Sequence, residues 1–133
     1  MYKTFNLNTK SRNEMVDITS EVKNALKELN ADNGIATIYC RHTTGGITIN
    51  ENADPSVQHD IIEFLNKLVP ANQSYFKHME GNADSHVKSS IIGTSEQVII
   101  EEGKPVLGRW QGIFFTEFDG PRNRKVHVKF SSD

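Results

Sequence analysis

The residues able to do chemistry concentrate in the stretch His42-Thr43-Thr44-Gly45-Gly46-Ile47-Thr48-Ile49-Asn50-Glu51-Asn52-Ala53-Asp54-Pro55. An imidazole, several hydroxyls, two adjacent glycines and two carboxylates suit a backbone corner that carries a site rather than a core. Two further histidines, His78 and His86, sit like His42 at element boundaries beside carboxylates: Glu80 is near the one, Asp84 near the other. Imidazoles from a strand end, a loop and a helix start can hold a metal ion with an open coordination position. They can equally move protons near neutral pH, or simply cap and hydrogen-bond their own elements. No pair has the HxxxH or HxxEH spacing of a zinc motif, so spacing leaves these alternatives open.

Other residues carry weaker signals. Gly45, Gly46 and Gly81 lie next to turns or helix starts, where backbone N–H groups can hold a phosphate. There is no GxGxxG or Walker pattern, and a tight hairpin explains Gly45-Gly46 as well. Arg122 and Arg124, after Gly120-Pro121, can fork onto an anion or decorate a solvated hairpin tip. Glu117 shares a strand face with Ile113 and Phe115, so it sits at a sheet end or is paired with an arginine or a metal. Cys40 reads as a buried structural thiol. His59, four residues before Glu63, and His127, between Lys125 and Lys129, read as surface residues.

The elements that must position these groups follow from periodicity. Residues 2–8 and 13–18 read as strands. Thr19 reads as an N-cap, and Val22, Ala25, Leu26 and Leu29 form one apolar helical face that Asn33 or Gly34 ends in a left-handed conformation. From 35 to 42 a strand points Ala36, Ile38, Cys40 and His42 inward, which leaves His42 at the rim of the core. Ile47 to Ile49 forms the next strand. Asp54 caps a helix with Pro55 at its first position, and Val57, Ile61, Phe64, Leu65 and Leu68 make its apolar side. Asn82 caps a third, short helix. Strands follow at 97–101, 105–107, 111–118 and 125–130, with a tight turn at Glu102-Gly103. The strand 111–118 is apolar on both faces, so both faces must be covered, and one cover is expected to be another subunit. The order β-β-α-β-β-α-α-β-β-β-β predicts an α+β domain of mainly antiparallel strands.

The chain has 133 residues, enough for one domain with its own core. With 15 basic and 17 acidic residues, and no Lys/Arg run beyond a pair, there is no duplex nucleic-acid surface to expect. A single cysteine fits a reducing compartment. No signal sequence or membrane-length apolar run is visible, so a soluble cytoplasmic protein is expected.

Three motifs in order then become recognisable: His42 to Glu51 with Asp54-Pro55; His78-Met79-Glu80-Gly81-Asn82-Ala83-Asp84-Ser85-His86-Val87-Lys88-Ser89-Ser90 with Gly93; and Leu107-Gly108-Arg109-Trp110-Gln111-Gly112-Ile113 with Glu117-Phe118-Asp119-Gly120-Pro121-Arg122. Together they closely resemble the YjbQ family, also called the secondary thiamine-phosphate synthase family, over essentially the whole chain. The resemblance implies a single domain over 1–133, a compact two-sheet β-sandwich with two to three helices, assembled as a homotrimer. It implies a site built from all three motifs. The groups with catalytic roles would be His42, Glu51, Asp54, Asp84 and Glu117. Substrate or anion contacts would come from Thr43, Thr44, Asn82, Gln111 and Arg122, and a divalent metal ion, zinc or magnesium, would sit on His42, His78 and His86. The implied reaction joins a pyrimidine diphosphate to a thiazole phosphate. Arg124 would help hold the diphosphate, and Trp110 would cover a ring or belong to the core. The alternatives are a non-catalytic trimer binding a metal or a phosphorylated metabolite, and a metal-dependent hydrolase. Gly45 and Arg109 depart from the family's usual alanine and threonine.

Overall fold

Period-two alternation builds strands here, and the two apolar stripes build helices. The computed structural model describes residues 1–133. In chain order the elements are β1 (Tyr2–Asn8), β2 (Glu14–Asp17), α1 (Thr19–Glu28), β3 (Gly34–Cys40), β4 (Gly45–Glu51), α2 (Pro55–Leu68), α3 (Ala83–Ile92), β5 (Ser95–Glu101), β6 (Lys104–Pro105), β7 (Gln111–Glu117) and β8 (Asn123–Ser132). A five-stranded sheet has the order β1-β8-β3-β5-β6, and a three-stranded sheet the order β2-β7-β4. Every strand pair is antiparallel. This is the expected α+β sandwich.

The core lies between the sheets. Ala36, Ile38 and Cys40 of β3, Val126 and Val128 of β8, and Ile113 and Phe115 of β7 meet Val22, Ala25 and Leu26 of α1 there. The inward set predicted for β3 is the buried set, while Ile35 and Tyr39 face out. Cys40 is a buried free thiol whose Sγ donates weakly to the His42 carbonyl at 3.7 Å. Burial pushes its pKa up, which suits a structural role.

Both faces of β7 are indeed covered, but by this same chain. Ile113 and Phe115 look into the inter-sheet core. On the other face Phe114, Thr116 and Phe118 are fully buried within the chain; α3 packs on the neighbouring β4, where Ser89 Oγ donates to the Gly45 carbonyl, and reaches the end of β7, where Ser85 Oγ donates to the Phe118 carbonyl, each at 2.6 Å. The apolar faces of 111–118 therefore call for no second subunit. Gly46 permits the close approach of α3, since a Cβ there would lie 2.5 Å from the Gly93 carbonyl oxygen and 3.0 Å from Ile92 Cγ2.

Three capping expectations change. Thr19 is the first helical residue, not the cap; Asp17 Oδ1 accepts its backbone N–H and its hydroxyl, at 2.9 and 2.6 Å. The left-handed residue after α1 is Asn30, with φ 53°, while Gly34 already belongs to β3. Asn82 holds the N-cap position of α3 but makes no capping bond, because its amide is turned to Asp119. Asp54 caps α2 as expected, accepting from the Ser56 N–H at 2.9 Å. Only Leu65 of the α2 apolar stripe is buried; Phe64 and Leu68 are exposed. No helix is long and apolar enough to cross a membrane.

Candidate functional site

One cleft of about 480 Å³ gathers parts of all three motifs, and none of its lining residues is hydrophobic. The β3–β4 corner brings Arg41, His42, Thr43 and Thr44 to it. The loop before α3 and the helix itself bring Glu80, Asn82 and His86. The β7–β8 turn brings Asp119, Arg122 and Arg124. Antiparallel pairing puts these pieces side by side: Gly45 and Gly46 lie opposite Glu117 and Thr116 in the sheet register.

Arg124 is the pin of this corner. It follows the inward alternation of Val126 and Val128 on β8, and its side chain is 3% exposed. Its Nε donates to Glu117 Oε1 at 2.8 Å, one Nη2–H bonds Glu117 Oε2, and Nη2 also reaches Thr44 Oγ1 at 2.9 Å. Glu117 accepts further from the Thr9 hydroxyl at 2.7 Å and from the Phe118 and Asp119 N–H groups at 3.1 Å. With five donors on its two oxygens, this carboxylate is a brace. The catalytic role expected of Glu117 is therefore corrected to a positioning one: no lone pair is free to take a proton from a ligand.

The next residue fixes the histidine. The backbone N–H of Lys125 donates to His42 Nε2 at 2.9 Å. A backbone N–H can only donate, so Nε2 is the acceptor and the proton of the neutral ring sits on Nδ1. Burial and the nearby Arg124 charge push the His42 pKa below its ordinary value, so the ring is neutral at pH 7. The remaining ring nitrogen of His42, a residue that lines the cleft, is thus an N–H donor.

The same bond decides the metal question for this residue. An imidazole ligates through the lone pair of one nitrogen while the other carries the proton. In His42 the one lone pair is engaged by Lys125. No three His, Cys, Asp or Glu side chains converge as a ligand set. His78 and His86 do meet, with ring centroids 5.1 Å apart and edge to face. His78 Nε2 is 3.7 Å from the Glu80 carboxylate and lines the adjacent loop groove rather than the cleft. His42, His78 and His86 therefore do not fit a three-histidine metal centre within one chain, and no chemistry is derived through one.

Asp84 is likewise corrected. It is fully buried behind the cleft, bonded by Arg12 at 3.0 and 3.1 Å and by Lys88 Nζ at 3.0 Å. Burial alone would raise its pKa, but those two cations outweigh burial and hold it below the ordinary carboxylate value. It ties α3 to the β1–β2 loop. Asp119 is also held low, the Asn82 and Arg122 hydrogen bonds outweighing burial. Arg122 Nε donates to the Asp119 carbonyl at 2.8 Å and Nη2 to its carboxylate at 3.0 Å, with half of the side chain still open to solvent.

Glu51, Asp54 and Gln111 lie elsewhere. Glu51 pairs with Gln111 at the far end of β4 and β7, six residues from Gly45, or roughly 20 Å along the strand. Gln111 accepts from the Gly108 N–H and Asp54 caps its helix. Trp110 is exposed at this same end, with the Arg109 guanidinium 4.9 Å from its ring. It is neither a core residue nor a cover for the cleft.

Several contributors were not singled out from sequence. Arg41 adjoins His42 in the chain but falls on the opposite side of the strand alternation, with Ile35, Thr37 and Tyr39. Lys88 carried a signal, its i,i+4 spacing from Asp84. The Lys125 contact is made by backbone and leaves no mark on residue type.

Comparison with known proteins agrees with the motifs. A family model described as UPF0047 protein YjbQ-like matches residues 3–133. The chain is 57% identical to a UPF0047 protein of Methanocaldococcus jannaschii, over 97% of this chain and 93% of that one. It is 50% identical to UPF0047 protein YugU of Bacillus subtilis, over 97% and 98%. Among solved structures, a YjbQ/UPF0047 protein of Clostridium acetobutylicum superposes with TM-score 0.94 at 51% identity, covering 97% of this chain and 99% of that one. A YbjQ-like protein of unknown function from Sulfolobus solfataricus superposes with TM-score 0.94 at 30% identity, covering 100% and 97%.

Proposed function

The chain belongs to the YjbQ-like UPF0047 family, and on that premise we propose that its cleft recognises the phosphate group of a small phosphorylated metabolite. The observation that carries this is the convergence of Arg41, Arg122 and the neutral His42 donor on a cleft without apolar lining. Arginine forks and a preorganised N–H stabilise an anion, and they do so more strongly as charge develops on a departing phosphate. The site is therefore suited to a transferase in which a phosphate or diphosphate leaves. His42 donates from Nδ1, Thr43 adds a hydroxyl, and Arg124 keeps the corner in register.

The family resemblance names one such reaction, the joining of a pyrimidine diphosphate to a thiazole phosphate. The test is diphosphate release from that pair by the purified protein. Turnover that falls at least ten-fold in Arg122→Gln and His42→Ala supports the assignment, a loss on the scale of one charge-assisted hydrogen bond. Turnover indifferent to both variants rejects it.

One observation favours a second reading, a binding protein without turnover. Glu117 and Asp119, the carboxylates nearest the corner, are both committed to arginines, which leaves few groups to move a proton. Retention of phosphate with no release of product marks that case. A homotrimer is part of the proposal too. Exposed Phe64, Leu68 and Ile91 on α2 and α3 support self-association. Light scattering at micromolar concentration returns three times the chain mass if this holds, and the chain mass if it does not.

A further inference from the structure

The cleft has a neighbour. A second cavity, of about 500 Å³, shares His42, Thr43 and His86 with it and is completed by Ser89, Ser90 and Thr94 at the end of α3 and the start of β5. The two chambers differ in charge. The first holds Arg41, Arg122 and Arg124 together with Glu80 and Asp119; the second holds no Lys, Arg, Asp or Glu at all. Neither is lined by a hydrophobic residue. A second phosphate would find no cation in the hydroxyl chamber, and an aliphatic or aromatic group would find no apolar surface.

The hydrogen-bonding inventory of both chambers asks for ligand hydroxyls. Ser89 spends its proton on the Gly45 carbonyl at 2.6 Å, so its oxygen can only accept. Asn82, 8% exposed, points its amide N–H at Asp119 at 2.7 Å, and its Oδ1 has no donor in the chain. A buried acceptor of this kind is costly unless something donates to it. A phosphate dianion offers only acceptors. Gly93, whose φ of 97° commits the chain to a turn here, leaves open space where a side chain would stand.

We infer that the ligand is a phosphorylated polyol of the sugar-phosphate class, its phosphate in the arginine-lined cleft and its hydroxylated chain in the Ser89–Ser90–Thr94 chamber, with the His42–His86 wall between them. This rests on the proposed phosphate recognition alone and departs from the pyrimidine and thiazole substrates that the family resemblance names, because no lining residue offers a ring an apolar surface.

The test is calorimetric titration of the full-length protein with inorganic phosphate, ribose 5-phosphate and phenyl phosphate. Ribose 5-phosphate should bind at least about ten-fold tighter than either of the others, the gain from one or two added neutral hydrogen bonds. The double variant Ser90→Ala/Thr94→Val, at two exposed positions, should erase that gain and leave inorganic phosphate unchanged. Ribose 5-phosphate no tighter than inorganic phosphate, phenyl phosphate tightest, or a double variant without effect each overturns the inference while leaving phosphate recognition standing. If none of the three binds, phosphate recognition itself fails, and the inference with it.

Discussion

The backbone N–H of Lys125 donates to His42 Nε2 at 2.9 Å. The preceding side chain, Arg124, holds Thr44, two residues beyond His42, at 2.9 Å. Two adjacent positions on β8 thereby fix both ends of the β3–β4 corner. One sets the tautomer of the histidine and the other the position of the threonine, so local geometry and site chemistry have a single origin.

Stability should respond to pH through His42. Its pKa is below the ordinary value, from burial first and Arg124 second. As pH falls the unfolded chain therefore takes up this proton before the folded one does. The contribution is complete above the unfolded value of about 6.5 and is lost as pH falls through the folded value. Urea denaturation between about pH 7.5 and 5 should show a shallower loss of stability in His42→Gln than in the parent. Some slope remains, because His127 is also held low, by burial and then by Arg41 and Lys125. Identical slopes contradict the assignment.

Arg124→Met should cost about 3–5 kcal/mol, since it strands a fully buried Glu117 charge. Adding Glu117→Gln should recover part of that loss by removing the charge while keeping an acceptor for the Phe118 and Asp119 N–H groups. Thermal denaturation of the parent, the single and the double variant measures it. A double variant less stable than Arg124→Met shows that the cost has another source.

Arg122→Gln should do the opposite. Its side chain is half exposed, so stability should stay within about 0.5 kcal/mol of the parent. Affinity for diphosphate should fall roughly ten-fold or more, the scale of one charge-assisted bond. An unchanged affinity, read by calorimetry, removes Arg122 from the site.

Gly45 faces the ring of Phe115 across the β4–β7 pair. Here a Cβ would lie 2.6 Å from Phe115 Cζ and 3.0 Å from the Thr116 carbonyl oxygen. Gly45→Ala should therefore cost about 1–3 kcal/mol, the scale of overpacking, unless the ring is allowed to shift. Pairing it with Phe115→Leu should cost less than the sum of the two single changes. Strict additivity contradicts the contact.

How much of this was legible in the sequence varies with the kind of interaction. The alternation of β3 told which side was inward, and so placed His42 at the core rim. The α2 cap at Asp54 and the turn at Glu102-Gly103 followed from residue type alone. The site divided differently. Motif continuity kept Glu51 and Asp54 with His42, but a β-strand lies between them and carries its ends apart. The buried partners of Glu117 and Asp84 come from residues far away in the chain, Arg124 and Thr9 for the one and Arg12 for the other apart from its helical neighbour Lys88. Spacing cannot reveal whether a carboxylate is free to react or already spent. Apolar residues on both faces of β7 did predict a double cover, but not that the same chain provides it.

The most direct test of the account is the nitrogen NMR spectrum of the His42 ring at pH 7.5, recorded before and after adding diphosphate. A neutral ring protonated on Nδ1, with Nε2 unprotonated, and an Nδ1 signal that moves saturably with diphosphate is the predicted result. A ring protonated on Nε2, or one that saturating diphosphate leaves unmoved, contradicts a site in which Lys125 fixes His42 as a donor to a phosphate.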